Sequence, residues 1–229
     1  MSGEASEKTA AFLKPEEAAA LLRSPSLGPG FIRSLAAHPT FGRLERVRAA
    51  VVLHPNTPRP LALSLLHQLR WRDLHQVAST PGIAAPLALA AERILLLRLP
   101  GMALGEKVAL ARSATLAVIK ALRTTPSPLV VRALMTNARF DGHDALFLAQ
   151  QAETPAAALQ ALAESPRFQG REEMCHAIAV HPGSPPQTAL RIVARLGPKA
   201  LRHIAVAETA PPLVRLAAER RLEHPGADP

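Results

Sequence analysis

The sequence predicts an all-α protein built as a right-handed α-solenoid of short helical pairs. Three observations carry that expectation. First, the composition suits helices: 48% of the 229 residues are hydrophobic, led by Ala and Leu, while aromatics make up 3%, with no Tyr and one Trp. The β-branched and aromatic residues that strands favour are in short supply. Second, the 22 prolines fall between apolar helical stretches rather than inside them. Third, the segment Leu53–Leu69 (LHPNTPRPLALSLLHQL) returns 127 residues later as Val180–Leu196 (VHPGSPPQTALRIVARL). Recurrence of a helix–break–helix device is the mark of a stacked repeat protein.

The chemistry of that device is local. A proline ring pushes the preceding residue out of the α region, so His54–Pro55 ends a helix. Thr57 then offers a hydroxyl as N-cap, and Pro58 suits the first helical position, where a missing N–H costs nothing. After it Leu61, Ala62, Leu65, Leu66 and Leu69 fall on one helical face. The second copy repeats this with Pro182, Ser184 and Pro185, followed by Ala189, Ile192, Val193 and Leu196.

Taken in order, residues 1–13 form a polar, flexible arm, and Lys14–Arg23 makes a first helix with acids at its start. Ser24–Gly30 breaks it, and a helix over Phe31–Ala37 ends at His38–Pro39, completing a capping repeat. Phe41–Leu53 is the next helix, with an apolar stripe of Leu44, Val47, Ala50 and Val51. The first joint and its helix follow. A short helix around Asp73–Ala78, a break at Thr80–Gly82 and a helix over Ala84–Leu97 repeat the plan. Pro60–Leu63 aligns with Pro86–Leu89 at a period of 26, and the same period joins Ile178–Val180 to Ile204–Val206 and Pro185–Pro186 to Pro211–Pro212.

A shift of 127 lays 38–95 on 165–222 without a gap. It matches Pro39 with Pro166, Phe41 with Phe168, His54 with His181, Pro55 with Pro182 and Ala90–Arg93 with Ala217–Arg220, which identifies an internal duplication. Between the copies, Pro100–Gly105 reads as a linker, Pro128, Pro155 and Pro185 open helices, and the endings NARF (137–140) and SPRF (165–168) lie 28 apart. One solenoid is expected over 14–224, with related sub-halves at about 14–99 and 104–224 and a mobile tail at 225–229. A lone pair of short helices cannot bury its apolar face, so each must stack on the next.

The pattern of a short apolar helix, then HPxTP or HPxSP, then a Leu/Ala helix resembles the bacterial leucine-rich repeat variant, and more loosely HEAT and armadillo repeats. The likeness is best over Ala50–Leu69 and Ala177–Leu196. The resemblance implies a helical solenoid that serves as a binding scaffold. The variant family is associated with an iron–sulphur cluster held by an added cysteine cluster. This chain has Cys175 alone, so that cofactor is not carried over.

Little in the sequence points to reaction chemistry. One cysteine excludes an internal disulfide and any CxxC motif. No nucleophile elbow, Walker loop, HExxH or dinucleotide fingerprint occurs. Glu16/Glu17 and Glu172/Glu173 sit at expected helix starts, where the dipole accounts for them. Asp141, His143 and Asp144 around Gly142 read as a turn, and Trp71 with Asp73 as a helix start. His38, His54, His181 and His224 all precede proline, which assigns them to helix ends rather than to a metal, since zinc needs three or four convergent ligands. Cys175 reads as a small buried residue. No catalytic residue, cofactor or metal is expected. The N-terminus is polar with no apolar core of a secretory signal, and the greasiest run, Ile94–Leu97, falls far short of the roughly 20 residues a membrane span requires. A cytoplasmic protein is expected.

What remains is charge. The net +9 comes from 27 basic residues, 22 of them Arg, against 18 acidic, and such a surplus attracts acidic surfaces and polyanions. Gln187, Arg191 and Arg195 lie opposite the apolar seam of their helix. The candidate binding surface is Arg59, Arg70, Arg72, Arg191, Arg195, Arg202 and Arg215, diluted by Glu92, Glu219 and Glu223. The leading expectation is a non-enzymatic scaffold that binds another protein, with no small-molecule substrate. Binding of duplex DNA through the arginines is the alternative, and a HEAT-like DNA glycosylase a distant third. Without aromatic interleaving, single-stranded nucleic acid is disfavoured.

Overall fold

The computed structural model describes residues 15–124 and 126–224; the arm expected at 1–13 and the tail expected at 225–229 lie outside them. Among the described residues the chain is all-α, 67% helical with fifteen α-helices and no strand. None of these helices is long and apolar enough to cross a membrane. The chain divides into two compact units between Met102 and Ala103.

The first unit contains α1 (Pro15–Leu21), α2 (Pro29–Ala37), α3 (Glu45–Leu53), α4 (Arg59–Leu66), α5 (Trp71–Ser79) and α6 (Ala85–Arg98), with 3-10 turns at Phe41–Arg43 and Leu99–Gly101. Odd helices pack on odd ones, α1 on α3 and α3 on α5, while α4 packs on α6 and neighbours in sequence close the pairs. The seam between the rows holds Ile32, Leu35, Val47, Val51, Leu66, Leu74 and Leu95, all essentially solvent-free.

The second unit contains α7 (Leu104–Ala111), α8 (Leu116–Leu122), α9 (Pro128–Met135), α10 (Gly142–Gln150), α11 (Ala156–Glu164), α12 (Glu172–Val180), α13 (Pro186–Val193), α14 (Pro198–Ala205) and α15 (Pro212–Glu223). One row stacks α10, α12 and α14. In the other row α7, α9 and α11 stack on one another, as do α13 and α15. The starts of α3, α4, α5 and α6 at 45, 59, 71 and 85 reappear in α12 to α15 at 172, 186, 198 and 212, each 127 residues on.

Within each unit, polar side chains tie several repeats to the one before, along two edges. On the edge where an odd helix of the first unit turns into its partner, His54 is 5% exposed. Its Nε2 donates to the Ser24 carbonyl at 2.9 Å and its Nδ1 accepts from the Asn56 N–H. Asn56 also donates to the Pro25 and Leu27 carbonyls. His181, 3% exposed, does the same in the second unit, with Nε2 on the Gln151 carbonyl at 2.7 Å and Nδ1 on the Gly183 N–H. Because a backbone N–H occupies Nδ1, the ring proton is on Nε2.

On the opposite edge guanidinium and amide groups reach helix C-termini about one repeat back. Arg98 donates to the His67 and Leu69 carbonyls, both at 2.6 Å, and Arg167 to those of Met135, Asn137 and Phe140. Asn137, 2% exposed, donates to Ala111 and Ala114. Arg221 donates to Val193. The last carbonyls of a helix lack intrahelical partners, and a cation there also opposes the dipole. Phe140 and Phe168 of the NARF and SPRF endings pack edge to face here, centroids 5.9 Å apart.

Three local readings need correction. Neither Thr57 nor its counterpart Ser184 is an N-cap: the Thr57 hydroxyl donates backward to the Val51 carbonyl, and Pro58 and Pro185, both extended at ψ 129°, take the N-cap positions without a side-chain bond. Thr154 closes the α10–α11 joint in the same way through Leu148. Phe41–Leu53 is not one helix, because Leu44 is extended (ψ 123°) between the 3-10 turn and α3. Gly142 does not make a turn but opens α10, with the Asp141 carboxylate accepting from the N–H groups of His143 and Asp144.

Candidate interaction surface

The exposed face of the second unit's α13 and α15 is built from residues that a buried helix would hide. Apolar side chains at i, i+3 and i+4 normally turn inward. On α15, Val214 and Ala218 do so, at 1% and 0% exposure, yet Leu213 and Leu216 stay 52% and 44% exposed on the other side. Together with Leu190 and Ala194 of α13, and with Ala217, they floor a groove of about 810 Å³. Arg191, Arg220 and Arg221 rim it, with Glu223 and His224 at one end. The groove is open, apolar below and mainly cationic above.

The arginines singled out from the sequence fall in separate environments. In the first unit Arg59, the first residue of α4, is exposed. Arg70, at the N-cap of α5, is exposed but pairs with Glu45 at 2.6 Å. Arg72 lies over the Trp71 ring, 5.3 Å from its centroid. In the second unit Arg191 pairs with Glu164 across α11 and α13 at 3.5 Å, and Glu164 also accepts from Gln160. The Gln160 amide, then Arg191, hold the Glu164 carboxyl below its ordinary range. Arg191 and Arg195 meet at a smaller groove of about 350 Å³ that also holds Cys175. Arg202 is exposed on α14, which belongs to the other row, and Arg215 is half-buried on α15. The structure therefore brings Arg191 together with Arg195, and Arg191 with Arg220, but it does not gather the set on one row.

Cys175 is half-exposed rather than buried. Its thiol donates to the Gln169 carbonyl at 3.3 Å, and burial pushes its pKa up, away from the thiolate that reactive cysteines require.

A second groove, about 710 Å³, crosses the row of α10, α12 and α14 and is lined by Glu172, Glu173, His176, Lys199 and His203. The His176 and His203 rings meet edge to face with centroids 6.3 Å apart. Burial, and then the neighbouring His203, hold His176 below the ordinary imidazole value. Among the described residues no three His, Cys, Asp or Glu side chains are arranged to hold a metal ion.

Among the described residues, the most buried charge pair was not singled out from the sequence. Arg123, just past α8, pairs with Asp144 of α10 at 18% and 8% side-chain exposure, and its guanidinium lies 4.0 Å from the Phe147 centroid. Sequence spacing carries no sign of it. The sequence reading also passed over the exposed Leu213 and Leu216, although Leu216 is the 127-residue counterpart of Leu89, a repetition that points to Leu216 but not to Leu213, whose counterpart is Pro86.

No protein-family model matches the chain, and neither curated proteins nor solved structures give a significant match.

Proposed function

We propose that the chain is a non-enzymatic helical-repeat module, a right-handed solenoid of the leucine-rich-repeat-variant and HEAT-like kind, that binds another protein. The observation carrying this reading is the α13–α15 groove, where Leu213 and Leu216 lie open beside the exposed Arg220, with Arg221 held on the Val193 carbonyl and Arg191 shared with Glu164. An apolar floor with a cationic rim suits an amphipathic helix whose apolar face is flanked by acids, the helix-in-groove mode of recognition. The net charge of +9 draws such a segment in at long range.

Duplex DNA is the second reading, supported by the same net charge. Less supports it locally, because Arg70 and Arg191 pair with acids while Arg98, Arg167 and Arg221 bond to backbone carbonyls. Phosphate binding would draw on exposed guanidinium groups gathered along one surface.

Affinity capture at physiological salt with the wild-type chain and with a Leu213→Glu/Leu216→Glu variant tests the reading. A protein retained by the first and lost from the second is the expected result. Retention unchanged by the variant, or no protein retained while the purified chain binds duplex DNA with strong salt dependence, overturns it.

A further inference from the structure

In the first unit the corresponding helix pair stands in the same register. Its α4 packs on α6 as α13 packs on α15, and the paired helices start 127 residues apart. The groove-facing positions Leu213, Leu216, Ala217, Arg220 and His224 correspond to Pro86, Leu89, Ala90, Arg93 and Leu97. These are not buried relics of the duplication. Leu89 is 64% exposed, Leu97 75% exposed, and Arg93 between them is exposed too. Leu89, Arg93 and Leu97 stand at i, i+4 and i+8, one stripe along α6. Of the floor positions, Leu190 corresponds to Leu63, half-buried in both, while His67 and Pro86 stand where Ala194 and Leu213 do.

A large apolar side chain on a solvent face gains little from burial, the main source of its stabilising effect. Keeping one at the same position in both copies, each time with an arginine one turn on, is a feature of a contact surface. We infer that the exposed α4–α6 face of the first unit docks as the α13–α15 groove does, so that the chain binds two copies of one acidic amphipathic helix. This rests on the docking reading of the α13–α15 groove. The two differ in charge: Ser64 stands where Arg191 does and Ile94 where Arg221 does. With Leu96 where Glu223 stands as well, the α4–α6 face carries fewer charges, and binding there depends less on salt.

Isothermal titration with a capped synthetic peptide, Leu at i, i+4 and i+7 and Glu on its other faces, tests the inference. A Lys-for-Glu version of the same peptide is the control. Two peptides per wild-type chain are expected, one for either Leu89→Glu or Leu216→Glu, and none for the double variant. Arg93→Glu and Arg220→Glu should each weaken one site, and the control peptide should bind at least tenfold more weakly. Circular dichroism melts of the variants, expected to match wild type because the changed residues are exposed, keep the result readable. A single site abolished by Leu216→Glu and untouched by Leu89→Glu overturns docking on the α4–α6 face and leaves the α13–α15 groove standing. No peptide bound to wild type, or equal binding of the Lys version, overturns both readings. Sedimentation showing that wild type self-associates and the double variant does not identifies a second copy as occupant and overturns the acidic-helix partner.

Discussion

His54 and His181 are buried imidazoles whose two ring nitrogens both bond to backbone, one to the preceding repeat and one to their own turn. The proline after each stops the helix, and the ring then holds the freed turn against its neighbour. His181→Ala leaves the Gln151 carbonyl and the Gly183 N–H without these bonds, and stability should fall by about 2–3 kcal/mol. Urea unfolding measures it; a midpoint equal to wild type would show that the ring is packing alone. His176 behaves differently, being held below its ordinary value by burial and then by His203. The folded state therefore binds that proton less readily than the unfolded one, so stability is full above the ordinary value of 6.5 and declines as pH falls below it. Melting temperature measured from neutral to about pH 5 should drop, and His176→Gln should flatten the curve over that range. These histidines stand out in the sequence, but their roles do not. His54 and His181 were legible as helix ends because proline follows each, whereas the pairing of His176 with His203 crosses from α12 to α14 and has no local signature.

At the scale of elements, the entry into α3 depends on one close approach. A Cβ on Gly42 would lie 2.2 Å from the Ala36 carbonyl oxygen, a backbone atom with nowhere to go. Gly42→Ala should cost about 1–3 kcal/mol through this overpacking. Gly142 is the contrast: a Cβ there meets only the Arg171 guanidinium, the end of a flexible chain. Gly142→Ala should be close to neutral in the same urea titration, and a larger loss at 142 than at 42 would refute the argument. Most helix ends lie within a residue or two of where proline and hydrophobic spacing put them, because both act within one turn. The misread places share a cause. Leu44 breaks the expected helix and Thr57 turns away from its expected cap because each answers to atoms of another segment or of the previous helix.

For the whole molecule, the interactions that define the second unit close within it. Its core runs from Leu110 and Ile119 through Leu148 and Leu162 to Ile204. The ladder bonds from Asn137, Arg167, His181 and Arg221 all end on residues after Ala103. A chain of residues 103–229 should fold alone, with far-UV circular dichroism of a helical protein and one cooperative melt. A disordered spectrum would show that the first unit is needed as a template. Stacked repeats behave this way because each depends mainly on its neighbours.

The sequence by itself pointed to the all-α class and displayed the 127-residue echo of the main device. Helix-forming composition, proline stereochemistry and hydrophobic spacing act between residues a few positions apart, and a 127-residue echo is visible without coordinates. Only the tertiary structure decided what the polar and exposed residues do. Arg98, Arg167 and Arg221 turned out to bond helix ends, Arg70 and Arg191 to pair with acids, and Leu89 and Leu216 to remain open to solvent. Each of those outcomes depends on how one repeat stacks on the next, across some 20 to 30 residues, where no pattern along the chain tells a guanidinium facing a carbonyl from one facing water.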